Sequence, residues 1–208
     1  MFEWRLCSAL RGALSYIQVA GLLGHEPVAI LPVGSTEQHG PHLPLGTDTF
    51  VTMAVMQAAL ARLPKATCLV LPALAVGKSN EHLSFLGTLT LSGTTLATVV
   101  GELARSLSRH GLARLVLVSG HGGNLPVLEA LSRDLRIDQR LLVFVTSAMA
   151  GVSLSAHGIA RGDFHGGDSE TSMIMALRPE LVRLHELPSH NPPVLSWTGW
   201  ERAGSAGL

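Results

Sequence analysis

Apolar residues fall into short unbroken runs, separated by longer stretches in which they recur every three or four positions. The short runs are 27–33 (PVAILPV), 67–71 (TCLVL), 115–118 (LVLV) and 141–146 (LLVFVT), and each reads as a buried strand. Four longer stretches are predicted as helices. The first is 48–63, with Val51, Val55, Met56, Ala59 and Leu63 on its apolar face. The second is 94–110, stopped by Gly111. The third is 124–135, with Asn124 placed to cap it and Pro126 in its first turn. The fourth is 169–177. Apolar strands alternating with helices imply an α/β fold whose largely parallel sheet is covered on both faces. No fixed repeat and no linker divides the chain, so 1–208 reads as one domain, with 188–208 a loop or tail.

Composition narrows the function. With 47% hydrophobic and 14% charged residues the chain is not of the disordered class. Fifteen Lys and Arg balance fifteen Asp and Glu, which argues against nucleic acid as a partner. No run reaches the roughly 18 apolar residues of a membrane span, and the N-terminal MFEWR lacks the basic start of a secretory signal. A cytoplasmic protein is expected. Cys7 and Cys68 form neither a disulfide framework nor a zinc spacing, and read as small buried fillers. The sparse charge points to surface buried in an oligomer.

Ten histidines stand against one tyrosine, and several lie beside acids and glycines that follow the predicted strands. In open α/β sheets that end of the strands is where ligands bind. In GSTEQHGPHLPLGTD, Glu37 and His39 are two apart and so point the same way from an extended segment, as two metal ligands would. Asp48 follows a loop punctuated by Pro and Gly that can fold back to present it; alternatively it caps the helix that starts there. In SGHGGN, directly after LVLV, His121 projects as a ligand or base, and Asn124 caps or orients. The glycines lack the GxGxxG fingerprint and the P-loop Lys of a phosphate site. In DFHGGDSETS, His165 enters a helix and Glu170 lies in its first turn, where a capping box is the plainer account. Glu81 and His82, in GKSNEH, line a pocket or a solvated turn.

The strings PVGSTEQHGPHLPLGTDT, EHLSFLGTLTL, SGHGGN and HGGDSETS, spread in this order over about 32–177, resemble the creatininase (creatinine amidohydrolase) family. The resemblance implies a three-layer α/β/α sandwich with a mostly parallel central sheet. It also implies a hydrolase of non-peptide or peptide-like amide C–N bonds, with two divalent metal ions per subunit and often hexameric. Glu37, His39 and Asp48 match metal ligands, Asp48 the carboxylate that bridges the metals, and His121 a further ligand. His165 matches a histidine that shuttles protons. Creatininase itself carries a ligand Glu where this chain has Gly123, and Glu170 is expected to replace it. The tryptophans that close over creatinine have no counterpart, since Trp4, Trp197 and Trp200 lie outside the matched stretch. Other members resemble formamidopyrimidine deformylases or the peptidase of mycofactocin maturation.

Glu37, His39, Asp48, His121 and Glu170 supply the carboxylate and imidazole inventory of a two-metal site for zinc, manganese or iron. His165, with an ordinary pKa near neutrality, would protonate the departing nitrogen of a small-molecule amide. Ser119 lacks the GxSxG elbow of a serine hydrolase. The rival from another class is a non-catalytic metal-binding scaffold, for which a loop proton donor such as His165 has no use.

Overall fold

Five parallel strands build the sheet: β1 (Ala9–Leu10), β2 (Val28–Val33), β3 (Cys68–Val70), β4 (Arg114–Ser119) and β5 (Leu142–Ser147). Their order is β1-β3-β2-β4-β5. The helices are α1 (Tyr16–Leu23), α2 (Thr47–Leu60), α3 (Gly93–Arg109), α4 (Leu125–Asp138) and α5 (Asp168–Leu177). The structure, a computed structural model, describes residues 9–10, 14–63, 68–152 and 165–187. The expectations for Cys7 and for the 188–208 tail lie outside the described residues.

Parallel registration sets which side chains share a face. Ala29, Leu31 and Val33 of β2, Leu115 and Leu117 of β4, and Val143 of β5 point to one side. There they pack on Leu96, Val100, Ala104 and Leu107 of α3 and on Leu128 and Leu135 of α4. Ile30, Cys68 and Val70 point to the other side and pack on Met56 and Leu60 of α2. A smaller cluster of Leu43, Val51 and Ile174 locks α2 to α5. Coverage on both faces therefore holds for the central strands. At β5 it fails on one face: Leu142 is 49% and Phe144 53% exposed.

Pro32 sits in a central strand with its missing donor turned away from β4. Its carbonyl accepts from Leu74 N–H (3.0 Å) on the β3 side, beyond the last β3 pair at Val70, so the pairing with β4 loses no donor. Gly111 ends α3 as the sequence predicts. It adopts φ +83°, and Gly111 and Leu112 return their N–H groups to Ser108 and Leu107.

Three helical expectations change. α1 was not foreseen, although Ser15 and Gln18 form its capping box. α2 ends at Leu60, and its inner face is Val51, Thr52, Met56 and Leu60; Val55 and Leu63 are 37% and 44% exposed. Asn124 stands at the start of α4 but makes no capping bond. Its amide is spent elsewhere, as described below.

Candidate metal centre

The loops beyond the carboxyl ends of the strands converge on one buried cluster. The loop after β2 carries Glu37 and His39. Glu37 N–H donates to the Leu45 carbonyl (3.0 Å), which folds the Pro- and Gly-punctuated segment back and sets Asp48 in the first turn of α2. The loop after β3 turns through Asn80–His82 and is pinned to the β2 loop by Leu89 N–H donating to the Thr36 carbonyl. His121 follows β4 directly, and His165 precedes α5, whose first turn holds Glu170.

Asn124 is the clasp between these loops. It is fully buried; its Oδ1 accepts from Lys78 N–H (2.8 Å) and its Nδ2 donates to the Gly34 carbonyl (3.0 Å). That is a loop-fastening role, with no side-chain surface left to line a pocket.

Asp48 divides its carboxylate between two imidazoles. Oδ1 lies 3.1 Å from His39 Nε2, and Oδ2 lies 3.5 Å from His121 Nδ1. Glu37 Oε1 lies 3.1 Å from the same His121 Nδ1, while Ser35 Oγ donates to Glu37 Oε2 (2.7 Å). Glu170 brings Oε1 to 3.6 Å from His39 Nε2, and its Oε2 accepts from Gly166 N–H (2.5 Å). Three overlapping groups place one potential ligand atom per residue within 4.8 Å of one another: Glu37, His39 and Asp48; His39, His165 and Glu170; and Glu37, His82 and His165.

Protons on imidazole carry the positive charge of the cluster. Burial opposes the His39 cation, but Asp48 and Glu170 outweigh it and raise its pKa well above the ordinary value. Burial likewise opposes His121, yet Glu37 and Glu81 carry it up to about 10. Burial lifts Asp48 to about 6, partly offset by His39. For Glu37, burial is outweighed by the close approach and charge of His121, which hold the carboxyl well below the usual range. Two buried oxygens, Glu37 Oε1 and Asp48 Oδ2, make no aligned hydrogen bond among the described residues and face the same His121 Nδ1. Carboxylate lone pairs left bare inside a protein are costly unless a cation meets them, and this mixed oxygen and nitrogen set suits a divalent one.

His165 departs from expectation in its proton affinity. Burial, then the cationic His39, with a smaller contribution from His82, lowers it to about 4. Its Nε2 is 2.5 Å from the Gln38 carbonyl and its Nδ1 3.6 Å from Glu37 Oε1. Nε2–H therefore donates to the carbonyl, and a neutral Nδ1 faces the cluster. His82 stacks on this ring with centroids 4.2 Å apart. Sequence reasoning missed Gln38. Its side-chain nitrogen lies 3.2 Å from His82 Nδ1 and 3.0 Å from His165 Nε2. The only signal was its place between two stronger candidates. His42, buried against Thr171 Oγ1 at 2.8 Å, was also missed and ties the β2 loop to α5.

Fold and cluster together define a class: a parallel α/β protein whose strand ends hold a buried carboxylate–imidazole centre of the kind that binds divalent cations. The chain belongs to the creatininase family, whose model, creatinine amidohydrolase, matches residues 13–206. It is 38% identical over 176 residues to the mycofactocin precursor peptide peptidase of Mycobacterium ulcerans (strain Agy99), covering 82% of this chain and 66% of that protein. The chain thus spans about two thirds of that relative's length. A solved manganese form of creatininase superposes with a TM-score of 0.77 at 34% identity, over 89% of this chain and 79% of that one. A zinc–zinc form of a creatininase variant gives 0.76 at 32% identity, over 89% and 78%. Among the described residues no helix is long and apolar enough to cross a membrane.

Proposed function

We propose that this protein is a metal-dependent amidohydrolase that cleaves a non-peptide or peptide-like amide C–N bond of a small molecule. The observation that carries this reading is the pair of bare, buried oxygens, Glu37 Oε1 and Asp48 Oδ2, turned toward one imidazole nitrogen. Glu37, His39, Asp48, His121 and Glu170 would hold two divalent ions, with zinc, manganese and iron the candidates and Asp48 shared between them. Such ions lower the pKa of a water molecule and polarise a carbonyl.

The chain's own residues do the rest. His39 Nδ1–H donates to the Glu37 carbonyl (3.1 Å), which turns Nε2 inward. His165, neutral at rest, takes up a proton at Nδ1 and returns it to the departing nitrogen. Gln38 and the stacked His82 keep that ring in place. A non-catalytic scaffold of the same fold would have no need of this arrangement. Within the class, a peptide-like amide is favoured over creatinine by the similarity to a precursor-peptide peptidase. The same reading takes 1–208 as one domain and the protein as a cytoplasmic homo-oligomer, hexameric as the family resemblance implies, which sedimentation velocity checks.

Elemental analysis of protein purified without chelator, paired with amine-release assays on cyclic amides, formamides and short peptides, tests the proposal. Two ions per chain are expected, with hydrolysis that chelation stops and manganese or zinc restores. A chain that takes up no metal after reconstitution would sink it.

A further inference from the structure

The His121 ring has charged neighbours on opposite sides. Its Nδ1 faces the two bare oxygens, at 3.1 Å from Glu37 Oε1 and 3.5 Å from Asp48 Oδ2. Its Nε2 lies 3.2 Å from Glu81 Oε1 and 2.9 Å from the Lys78 carbonyl oxygen. A carboxylate and a carbonyl offer lone pairs only, so Nε2 carries the hydrogen and Nδ1 is the atom left to meet a cation.

Position 123 keeps this outer contact open. A Cβ there would lie 2.5 Å from His121 Nε2 and from the Lys78 carbonyl oxygen, and 2.9 Å from Glu81 Oε1. Any side chain would push against backbone as well as against the carboxylate, so only Gly fits. The space that a side chain at 123 would fill is taken by Glu81, an acid arriving from another loop.

We propose that Glu81 is a positioning residue for His121: its carboxylate shares the Nε2–H with the Lys78 carbonyl and makes Nδ1 a stronger donor to a divalent ion. The inference rests on the metal-centre reading above. The Lys78 carbonyl alone fixes the tautomer, and Glu81 adds the negative charge. Outer carboxylates of this kind raise metal affinity by roughly 10–100-fold. Glu81 is a quarter exposed, so exchanging it leaves no buried void.

The test compares chelator-stripped wild type with Glu81→Gln. Zinc affinity is read by competition with a chromophoric chelator, the fold by thermal melting of the stripped proteins, and the contact by the Nε2–H proton resonance of His121. Glu81→Gln is expected to lower zinc affinity roughly 10–100-fold with the stripped melting temperature preserved, and to move the His121 resonance upfield. Affinity within twofold of wild type, with the resonance unmoved, would overturn the proposal. Should Glu81→Gln melt well below wild type, Glu81→Asp, which keeps the charge and retracts it by one methylene, repeats the comparison. If wild type itself binds no zinc, the metal-centre reading fails. The resonance then still decides whether Glu81 holds His121, a shift supporting the contact and its absence overturning it.

Discussion

His39 Nε2 and Asp48 Oδ1, nine residues apart in the chain, lie 3.1 Å from each other in the buried cluster. The loop between them is closed by Glu37 N–H on the Leu45 carbonyl, so the contact is set by backbone and not by a chance rotamer. Asp48 also presents its second oxygen to His121, which makes it the carboxylate best placed to serve both halves of the centre. Asp48→Asn removes that shared charge with little change in volume. It is expected to cost metal affinity beyond the roughly 100-fold that outer partners are worth, and to abolish hydrolysis. Metal content after dialysis against a weak chelator checks this. Two ions retained by the variant would contradict the bridging role.

His165 and Gln38 are expected to separate chemistry from metal loading. His165→Ala removes the group assigned to proton transfer and should lower kcat by roughly 10²–10⁴-fold. Metal content should be nearly unchanged, since the five ligands remain. Gln38→Leu keeps His165 and its bond to the Gln38 carbonyl but loses the amide that reaches His82 Nδ1, and should lower kcat by a smaller factor with KM little altered. Steady-state kinetics beside elemental analysis distinguish these outcomes. Loss of metal from His165→Ala would make that residue a ligand.

The alternation of strands and helices was legible because the central strands are buried on both faces, and burial writes itself as unbroken apolar runs. α1 was not, because Tyr16 and Ile17 at its start are 82% and 66% exposed and leave no apolar stripe to read. In the centre, the residues whose chemistry is unusual in a loop, Glu37, His39, Asp48, His121, His165 and Glu170, could be picked out singly. Their partners could not. Asn124 looks like a helix cap in sequence, and nothing local says that Gly34 and Lys78 come within reach of its amide. Glu81 looked like a pocket or turn residue for the same reason: its contact with His121 joins loops that follow different strands. The proton affinity of His165 could not be read from the sequence because it is set first by burial and then by His39 and His82, all of which only the fold supplies.

Gly166 is where backbone conformation and the centre meet. It holds φ +59°, a Cβ on it would lie 2.9 Å from the His39 carbonyl group, and its N–H donates to Glu170 Oε2. Gly166→Ala therefore combines left-handed strain with a clash against the β2 loop. A loss of roughly 1–3 kcal/mol in unfolding free energy is expected, measured by urea denaturation of the metal-free protein. Release of Glu170 should accompany it, seen as weaker binding of one of the two ions. A fully stable variant with both ions bound would show that Glu170 needs no such anchor.

The response to pH follows from the competition between protons and metal for the same imidazoles. In the metal-free chain the pKa of His121 is raised from 6.5 to about 10, and that of His39 is raised as well. A histidine whose folded pKa is raised contributes stability that is complete below about 6.5. That contribution is lost as pH climbs through the folded value, here toward 10 for His121. The metal-free protein should therefore lose melting temperature between about pH 6.5 and 10. Metal requires the neutral rings, so its binding expels protons and tightens over the same interval. The gap in melting temperature between metal-loaded and chelator-treated protein is expected to widen as pH rises. Calorimetric titrations with zinc in two buffers of different ionisation enthalpy should show proton release near neutrality. A gap that narrows with pH, or binding that releases no proton, would mean that the metal does not displace the protons of His39 and His121.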